Sequence, residues 1–70
     1  MKLTINGEKM SIEQTKRLLT LEKLIGLLGH NPSLIVVEFN GTILPPNQWP
    51  TQQVKDGDSL EIVTIVGGGS

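Results

Sequence analysis

Apolar and polar residues alternate at the start of the chain. Leu3 and Ile5 precede Asn6-Gly7, and Met10 and Ile12 follow it with the same period of two. Asn-Gly between two alternating segments is a strong signal for a two-residue hairpin turn. The pattern therefore predicts an opening β-hairpin. We expect its side chains to divide between a buried face (Leu3, Ile5, Met10, Ile12) and a solvent face (Lys2, Thr4, Lys9, Ser11).

A helical pattern follows a polar connection at residues 13–17. The apolar residues recur at i, i+3, i+4 and i+7 and would form one face: Leu21, Leu24, Ile25 and Leu28. Thr20 occupies the expected N-cap position, and Gly29 is a natural C-terminal cap with Pro32 just beyond it. We expect a helix of about ten residues. Because Gly26 costs this helix about 1 kcal/mol relative to alanine, packing against a sheet must stabilise it.

The second half of the chain predicts strands separated by turns. Residues 34–39 form an apolar run, Asn40-Gly41 is a second turn, and residues 42–44 make a short return strand ended by Pro45-Pro46. Residues 47–53 are predicted to be irregular or a single helical turn anchored by Trp49. Residues 54–58 turn into a final strand at residues 59–66.

These elements predict a single α+β domain, with a mixed sheet of about four to five strands packed on one helix and a flexible C-terminal tail. This order of elements is the β-grasp pattern of ubiquitin-like folds. We expect the domain to cover residues 1–66 and the tail residues 67–70. Alternation places one set of strand residues inside: Ile35, Val37, Phe39, Leu60 and Ile62. The same alternation exposes Val36, Val63 and Ile65 as an apolar strip beside the root of the tail, which is a reasonable docking surface.

Composition excludes several classes of function. The net charge is −1 and the six basic residues are dispersed, which argues against nucleic-acid binding through phosphate neutralisation. The chain has no cysteine, so it lacks disulfides, thiolate metal ligands and thiol nucleophiles. No apolar run has the length of a membrane span. We expect a cytoplasmic protein that does not bind membranes and is monomeric when free.

The tail, Gly67-Gly68-Gly69-Ser70, carries the main functional signal. Four extended residues reach roughly 13 Å, enough to enter a partner's pocket. Glycine suits chemistry at the chain's own end, because no Cβ crowds the carbonyl and the backbone can pass through a narrow channel. An ordinary disordered chain end, or an engineered linker, has the same composition, so the tail alone leaves both interpretations open.

The other candidate functional residues are predicted to have structural roles. His30 lies at the predicted end of the helix, where an imidazole opposes the negative end of the dipole, and it has no second histidine or cysteine beside it. Asp56-Gly57-Asp58 lacks the spaced ligands of a calcium loop and is predicted to be a turn. No nucleophile, histidine and acid form a catalytic set, and no glycine loop for phosphate precedes a helix. We therefore expect no enzymatic activity, no bound cofactor and no metal site in this chain.

The chain resembles the ThiS-type sulfur carriers of thiamine biosynthesis, small β-grasp proteins related to ubiquitin and to the molybdopterin sulfur carrier. The similarity covers nearly the whole length and is densest in the second half. The likeness rests on an ordered series of segments at fixed spacing: Val37-Glu38-Phe39-Asn40-Gly41, Ile43-Leu44-Pro45, Trp49, Val54-Lys55-Asp56-Gly57-Asp58, Leu60-Glu61-Ile62-Val63 and Val66-Gly67-Gly68-Gly69.

The resemblance implies a cycle on partner enzymes. An E1-like adenylating enzyme would use ATP and magnesium to adenylate the terminal glycine carboxylate, and sulfur from a cysteine desulfurase relay would convert it to a thiocarboxylate. Thiazole synthase would then take the sulfur. By this resemblance Gly69 is the acceptor and Gly68 belongs to its motif. Val66 and Gly67 join the strip of Val36, Val63 and Ile65 as expected partner contacts.

Ser70 departs from the family pattern, in which glycine is the last residue. We expect that Ser70 is removed or is not native, which leaves Gly69 with the terminal carboxylate. Two alternatives remain open at this point: a sulfur carrier for molybdopterin synthesis, and a β-grasp interaction module without carrier chemistry.

Overall fold

The computed structural model describes residues 1–13 and 18–65. Its strands and α-helix are, in chain order, β1 (Lys2–Ile5), β2 (Glu8–Ser11), β3 (Leu19–Thr20), α1 (Leu21–Leu27), β4 (Ile35–Phe39), β5 (Thr42–Leu44), β6 (Gln53–Val54) and β7 (Ser59–Thr64). Two short 3₁₀ helices, Pro32–Leu34 and Pro46–Gln48, lie on either side of the β4–β5 hairpin.

The main sheet has the strand order β2-β1-β7-β4-β5. The central strand β7 runs parallel to its neighbour β1, whereas every other neighbouring pair in this sheet is antiparallel. The chain leaves the first hairpin, forms α1 on one side of the sheet, and returns through β4 and β5 before β7 enters the centre. The predicted α+β β-grasp architecture, a mixed sheet packed on one helix, is confirmed for the described residues.

A small second sheet was not predicted. β3 pairs with β6 in antiparallel fashion, with Leu19 opposite Val54 and Thr20 opposite Gln53. Each strand is only two residues long, so neither carries a detectable alternation of its own. The pairing forms because Leu21 N–H donates to Gln52 O and Glu22 N–H to Trp49 O, which draw the start of the helix against residues 49–54.

The core lies between α1 and one face of the main sheet. Its buried hydrophobic residues are Leu3, Ile5, Leu21, Leu24, Ile25, Ile35, Val37, Phe39, Trp49, Val54, Leu60 and Ile62. All five residues of β4 and β7 that were predicted to point inward belong to this set. The Trp49 anchor is also confirmed: its ring is buried, and its indole N–H donates to Leu44 O at 3.0 Å.

Both predicted caps of α1 are present, but the helix is shorter than expected. Thr20 Oγ1 accepts from Lys23 N–H at 3.3 Å, as an N-cap does. At the other end Gly29 has φ +79°, Gly29 N–H donates to Gly26 O, and His30 N–H donates to Ile25 O. These two bonds form a Schellman motif. Because the motif closes the helix at Leu27, α1 has seven residues instead of about ten.

The prediction that Met10 is buried was wrong. Its side chain is 37% exposed, and Ile12 is only half-buried against the core. The expected register is present, with Met10 opposite Leu3. However, β2 is the outer strand of the sheet, and all four of its residues are exposed. An edge strand has a neighbour on one side alone, so alternation gives the direction of Met10 but not its burial.

Two strand boundaries also differ from expectation. β4 begins at Ile35 because Leu34 completes the 3₁₀ helix, which Asn31 caps by accepting from Ser33 N–H through Oδ1 at 3.1 Å. β7 ends at Thr64, and Val66, the predicted end of the last strand, lies outside the described residues.

Candidate functional site: an apolar strip on the open sheet face

The face of the sheet opposite α1 is organised by the pairing of β4 with β7. Val36 lies opposite Val63, between the inward pairs Ile35–Thr64 and Val37–Ile62. Directly opposed residues of an antiparallel pair share a face, and successive residues alternate. Val36 and Val63 therefore point away from the helix, as predicted.

The chain extends this apolar surface in the direction of the C-terminus. Ile65 N–H donates to Leu34 O at 2.6 Å, which continues the register of β4 and β7 by one further pair. Leu34, Val36, Val63 and Ile65 together form what we call the apolar strip. Leu34 was not predicted to belong to it, although it precedes Val36 by two residues and the same alternation could have found it.

The residues of the apolar strip differ in exposure. Val63 is 60%, Ile65 51% and Leu34 48% exposed. Val36 was predicted to be exposed but is half-buried. Ile65 is the last described residue before the glycines, so the apolar strip lies at the root of the tail.

Two glutamates adjoin the apolar strip on the same face. Glu38 lies opposite Glu61 in the next outward pair of the β4–β7 ladder, and Ile43 of β5 lies opposite Glu38. Glu61 is exposed and Glu38 half-buried. The open face thus runs from an apolar end near the tail to an acidic pair near the middle of the sheet.

Asp56-Gly57-Asp58 forms the predicted turn at the opposite end of the sheet. Gly57 adopts φ +89°, and Asp58 Oδ2 accepts from Lys55 N–H at 2.7 Å. Asp58 Oδ1 also accepts from the Asn40 side-chain amide at 3.1 Å, while Asn40 Oδ1 accepts from Ser59 N–H at 2.9 Å. The turn after β4 is thereby bound to the turn before β7. Asp58 and Asn40 act in the fold and lie at the far end of β7 from the tail.

The remaining predicted site residues lie outside the described residues: Val66, Gly67, Gly68 and Gly69. Within residues 1–13 and 18–65, no three histidine, aspartate or glutamate side chains form a group that could hold a metal ion. Among the same residues, no helix has the length and apolar character to cross a membrane.

A family model supplies the decisive comparison: the model described as the ThiS family matches residues 3–69. The chain belongs to the ThiS family. The match covers the whole β-grasp fold and continues through Gly69.

Solved structures of this family have the same fold. The crystal structure of a thiamine biosynthesis protein (ThiS) from Geobacter metallireducens aligns with a TM-score of 0.83 at 31% identity, covering 99% of this chain and 100% of that one. The solution structure of a thiamine biosynthesis protein from the same organism gives a TM-score of 0.82, also at 31% identity, covering 100% of this chain and 90% of that one.

Curated relatives of this ThiS-family chain include a much longer protein. A thiazole synthase of Paramagnetospirillum magneticum is 43% identical over 70 residues, which are 100% of this chain but 21% of that protein. The chain therefore spans about a fifth of the length of that relative. An uncharacterized protein ycf40 of Porphyra purpurea is 37% identical over 67 residues, covering 96% of this chain and 90% of that one.

Proposed function

We propose that this ThiS-family chain is a sulfur carrier of thiamine biosynthesis that works through the terminal carboxylate of Gly69. The observation that carries the proposal is the family match over residues 3–69, which includes the tail glycines as well as the folded domain. Gly69 becomes the acceptor when it carries the free carboxylate, and therefore in a chain without Ser70.

The proposed chemistry has two steps, both on partner enzymes. An adenylating enzyme transfers the AMP group of magnesium-bound ATP to the Gly69 carboxylate, and pyrophosphate leaves. In the second step a persulfide of the cysteine desulfurase relay attacks the activated carbonyl, and AMP leaves as the carbon–sulfur bond forms. A thiol of the relay then cleaves the sulfur–sulfur bond, which leaves the thiocarboxylate on Gly69 and a disulfide on the relay. Because glycine has no Cβ, the carbonyl is open to attack. The chain has no cysteine, so the sulfur has to be held at this carbonyl.

In this proposal the folded domain supplies recognition and the partners supply catalysis. The apolar strip adjoins the root of the tail, so a partner that docks on Val63 and Ile65 receives the tail glycines at its active site. The chain itself is a recycled co-substrate, and ATP and magnesium bind to the adenylating enzyme.

Thiazole synthase is the proposed acceptor of the sulfur. Support comes from the relative of that name, in which a segment 43% identical to this chain makes up a fifth of the protein. Placing a carrier domain and a synthase in one polypeptide raises their effective concentration, which benefits proteins that act on each other.

The test is a carrier-loading reaction on a variant that ends at Gly69. We expect incubation with the adenylating enzyme, ATP, magnesium and a sulfur source to exchange one oxygen for sulfur, as seen in the intact mass. A matched chain that ends at Gly67 should remain unmodified. Absence of the exchange in the first chain, or its presence in the second, would contradict the proposal.

Complementation separates thiamine synthesis from the molybdopterin pathway. The variant ending at Gly69 should restore growth of a strain that lacks its own thiamine sulfur carrier. Rescue of a molybdopterin-deficient strain in its place would show that the pathway assignment is wrong.

A further inference from the structure

The Glu38–Glu61 pair is unfavourable for the isolated domain. The two residues are directly opposed in an antiparallel ladder, where side chains approach each other closely and like charges destabilise the pair. A glutamate opposite a threonine or a lysine would avoid this cost. The fold therefore gains nothing from placing these two carboxylates together.

The ladder positions around the pair supply no positive charge. Val36 and Val63 lie on one side of it along the strands. On the other side, beyond the last pair of the ladder, Asn40 N–H donates to Ser59 O. Asn40 Oδ1 and the backbone N–H of Ser59 already bond to each other. Ile43 is the lateral neighbour of Glu38 on β5.

Lysines on the same face lie farther away. Lys9 is opposite Thr4, which is in turn opposite Ser59, so two strands and a further step along β7 separate Lys9 from Glu61. At about 4.8 Å per strand, Lys9 is beyond the range of a close ion pair with these carboxylates. Lys2 lies farther along β1, toward the start of β7.

The apolar residues that flank the acidic pair determine whether its carboxylates lose water when a partner docks. The exposed residues Val63 and Ile43 lie on two sides of the acidic pair. A partner that covers the apolar strip must also remove water from the carboxylates beside it. Removing water from a charge is costly unless the partner supplies a counter-charge with good hydrogen-bond geometry.

We propose that the surface of thiazole synthase that docks on the apolar strip presents an arginine to Glu38 and Glu61. Arginine fits better than lysine, because its planar guanidinium carries several N–H donors and can bond both carboxylates at once. The choice of occupant rests on the proposed function and on the relative in which a similar segment belongs to a thiazole synthase. A second copy of the chain is a poor occupant, because face-to-face association would bring four carboxylates together.

The test compares two double variants with the same change in net charge. In Glu38→Gln/Glu61→Gln the acidic pair is neutralised, whereas Glu8→Gln/Glu22→Gln alters exposed glutamates of β2 and α1 away from the open face. Binding of each variant, ending at Gly69, to purified thiazole synthase is measured at several salt concentrations. We expect the first to bind at least tenfold more weakly than the wild type and to lose most of its salt dependence. The second should bind like the wild type.

Folding and carrier loading provide the remaining readouts. Because like-charge repulsion is removed, Glu38→Gln/Glu61→Gln should unfold at an equal or higher urea concentration than the wild type. If Glu38→Gln/Glu61→Gln loses binding and also unfolds at a lower urea concentration, the inference is contradicted. Unchanged binding of this variant to thiazole synthase would also contradict it. So would weakened binding to the adenylating enzyme with unchanged binding to thiazole synthase. If the chain that ends at Gly69 with both glutamates intact loads sulfur but the acidic pair has no effect on binding, this inference fails and the proposed function stands. If that same chain does not load sulfur, the proposed function fails.

Discussion

Single side chains join the two turns beside Ser59. Asn40 has φ +49°, a conformation that asparagine tolerates better than most residues, and its side chain bonds both Ser59 N–H and Asp58. Asn40 N–H also donates to Ser59 O at 2.8 Å. The Asn-Gly and Asp-Gly-Asp segments therefore depend on each other, although 18 residues separate Asn40 from Asp58. These hydrogen bonds give both segments a role in the fold.

Replacing Asn40 tests this role. Asn40→Ala removes both side-chain hydrogen bonds. It also places alanine, which tolerates a positive φ less well than asparagine does, at this position. We expect a loss of about 1–3 kcal/mol in the free energy of unfolding, measured by urea denaturation. Asn47→Ala, at an exposed position in the 3₁₀ helix Pro46–Gln48, is the control and should change stability by less than about 0.5 kcal/mol. Equal effects of the two substitutions would show that the Asn40 bonds are not needed.

At the scale of elements, α1 illustrates how a short helix is held by its ends and by the core. Leu21, Leu24 and Ile25 are fully buried, and both termini are capped. A helix of seven residues would be marginal in isolation, so its stability comes from the sheet beneath it. The two glycines near its C-terminus have opposite roles, although both are exposed and neither has an atom within 4 Å of an added Cβ.

Alanine at each glycine gives a matched pair of tests. Gly26→Ala should raise the free energy of unfolding by about 1 kcal/mol, because Gly26 lies in α1 and alanine is the better helix former. Gly29→Ala should lower it by about 1–2 kcal/mol, because Gly29 has φ +79°. Urea denaturation of both variants checks the signs. A destabilising Gly26→Ala or a neutral Gly29→Ala would contradict this description of the helix end.

Sequence patterns predicted the turns, the strands and the helix better than the contacts between segments that are distant in the sequence. Asn6-Gly7 and Asn40-Gly41 fixed two turns through local backbone preference, and the i, i+3, i+4 spacing placed the buried side of α1. The predicted burial of Met10 was wrong because alternation carries no information on which strand becomes the edge of the sheet. The β3–β6 pairing was missed because it depends on contacts between distant segments. For the site, alternation identified Val63 and Ile65, while the Glu38–Glu61 opposition required the register of two strands that are far apart in the sequence.

Over the whole molecule, the linked turns and the apolar strip lie at opposite ends of β7. The Asn40–Asp58 contacts lie at one end of β7, and the apolar strip with the root of the tail lies at the other. β7 thus connects the linked turns to the segment that carries the glycines. We propose that partners recognise the open face and that the chain end carries the sulfur.

Polar substitutions on the open face should weaken docking without unfolding the domain. Val63→Ser/Ile65→Ser removes apolar area from the strip, and we expect binding to thiazole synthase to weaken by at least about tenfold. Leu18→Ser/Leu27→Ser is a matched control, because Leu18 and Leu27 are 69% and 70% exposed and lie outside the strip. Calorimetric titration measures both affinities. Equal weakening by the two pairs would show that exposed apolar area in general, and not the apolar strip, governs the interaction.

A single-turnover reaction tests most directly whether the chain that ends at Gly69 donates its sulfur to thiazole synthase. Carrier ending at Gly69 is loaded as the thiocarboxylate, separated from the loading enzymes, and mixed with thiazole synthase and its remaining substrates. We expect the carrier to return to the mass of the carboxylate form while thiazole phosphate appears in an equal amount. Thiazole formation from carrier that was never loaded, or a loaded carrier that keeps its sulfur while product accumulates, would contradict it.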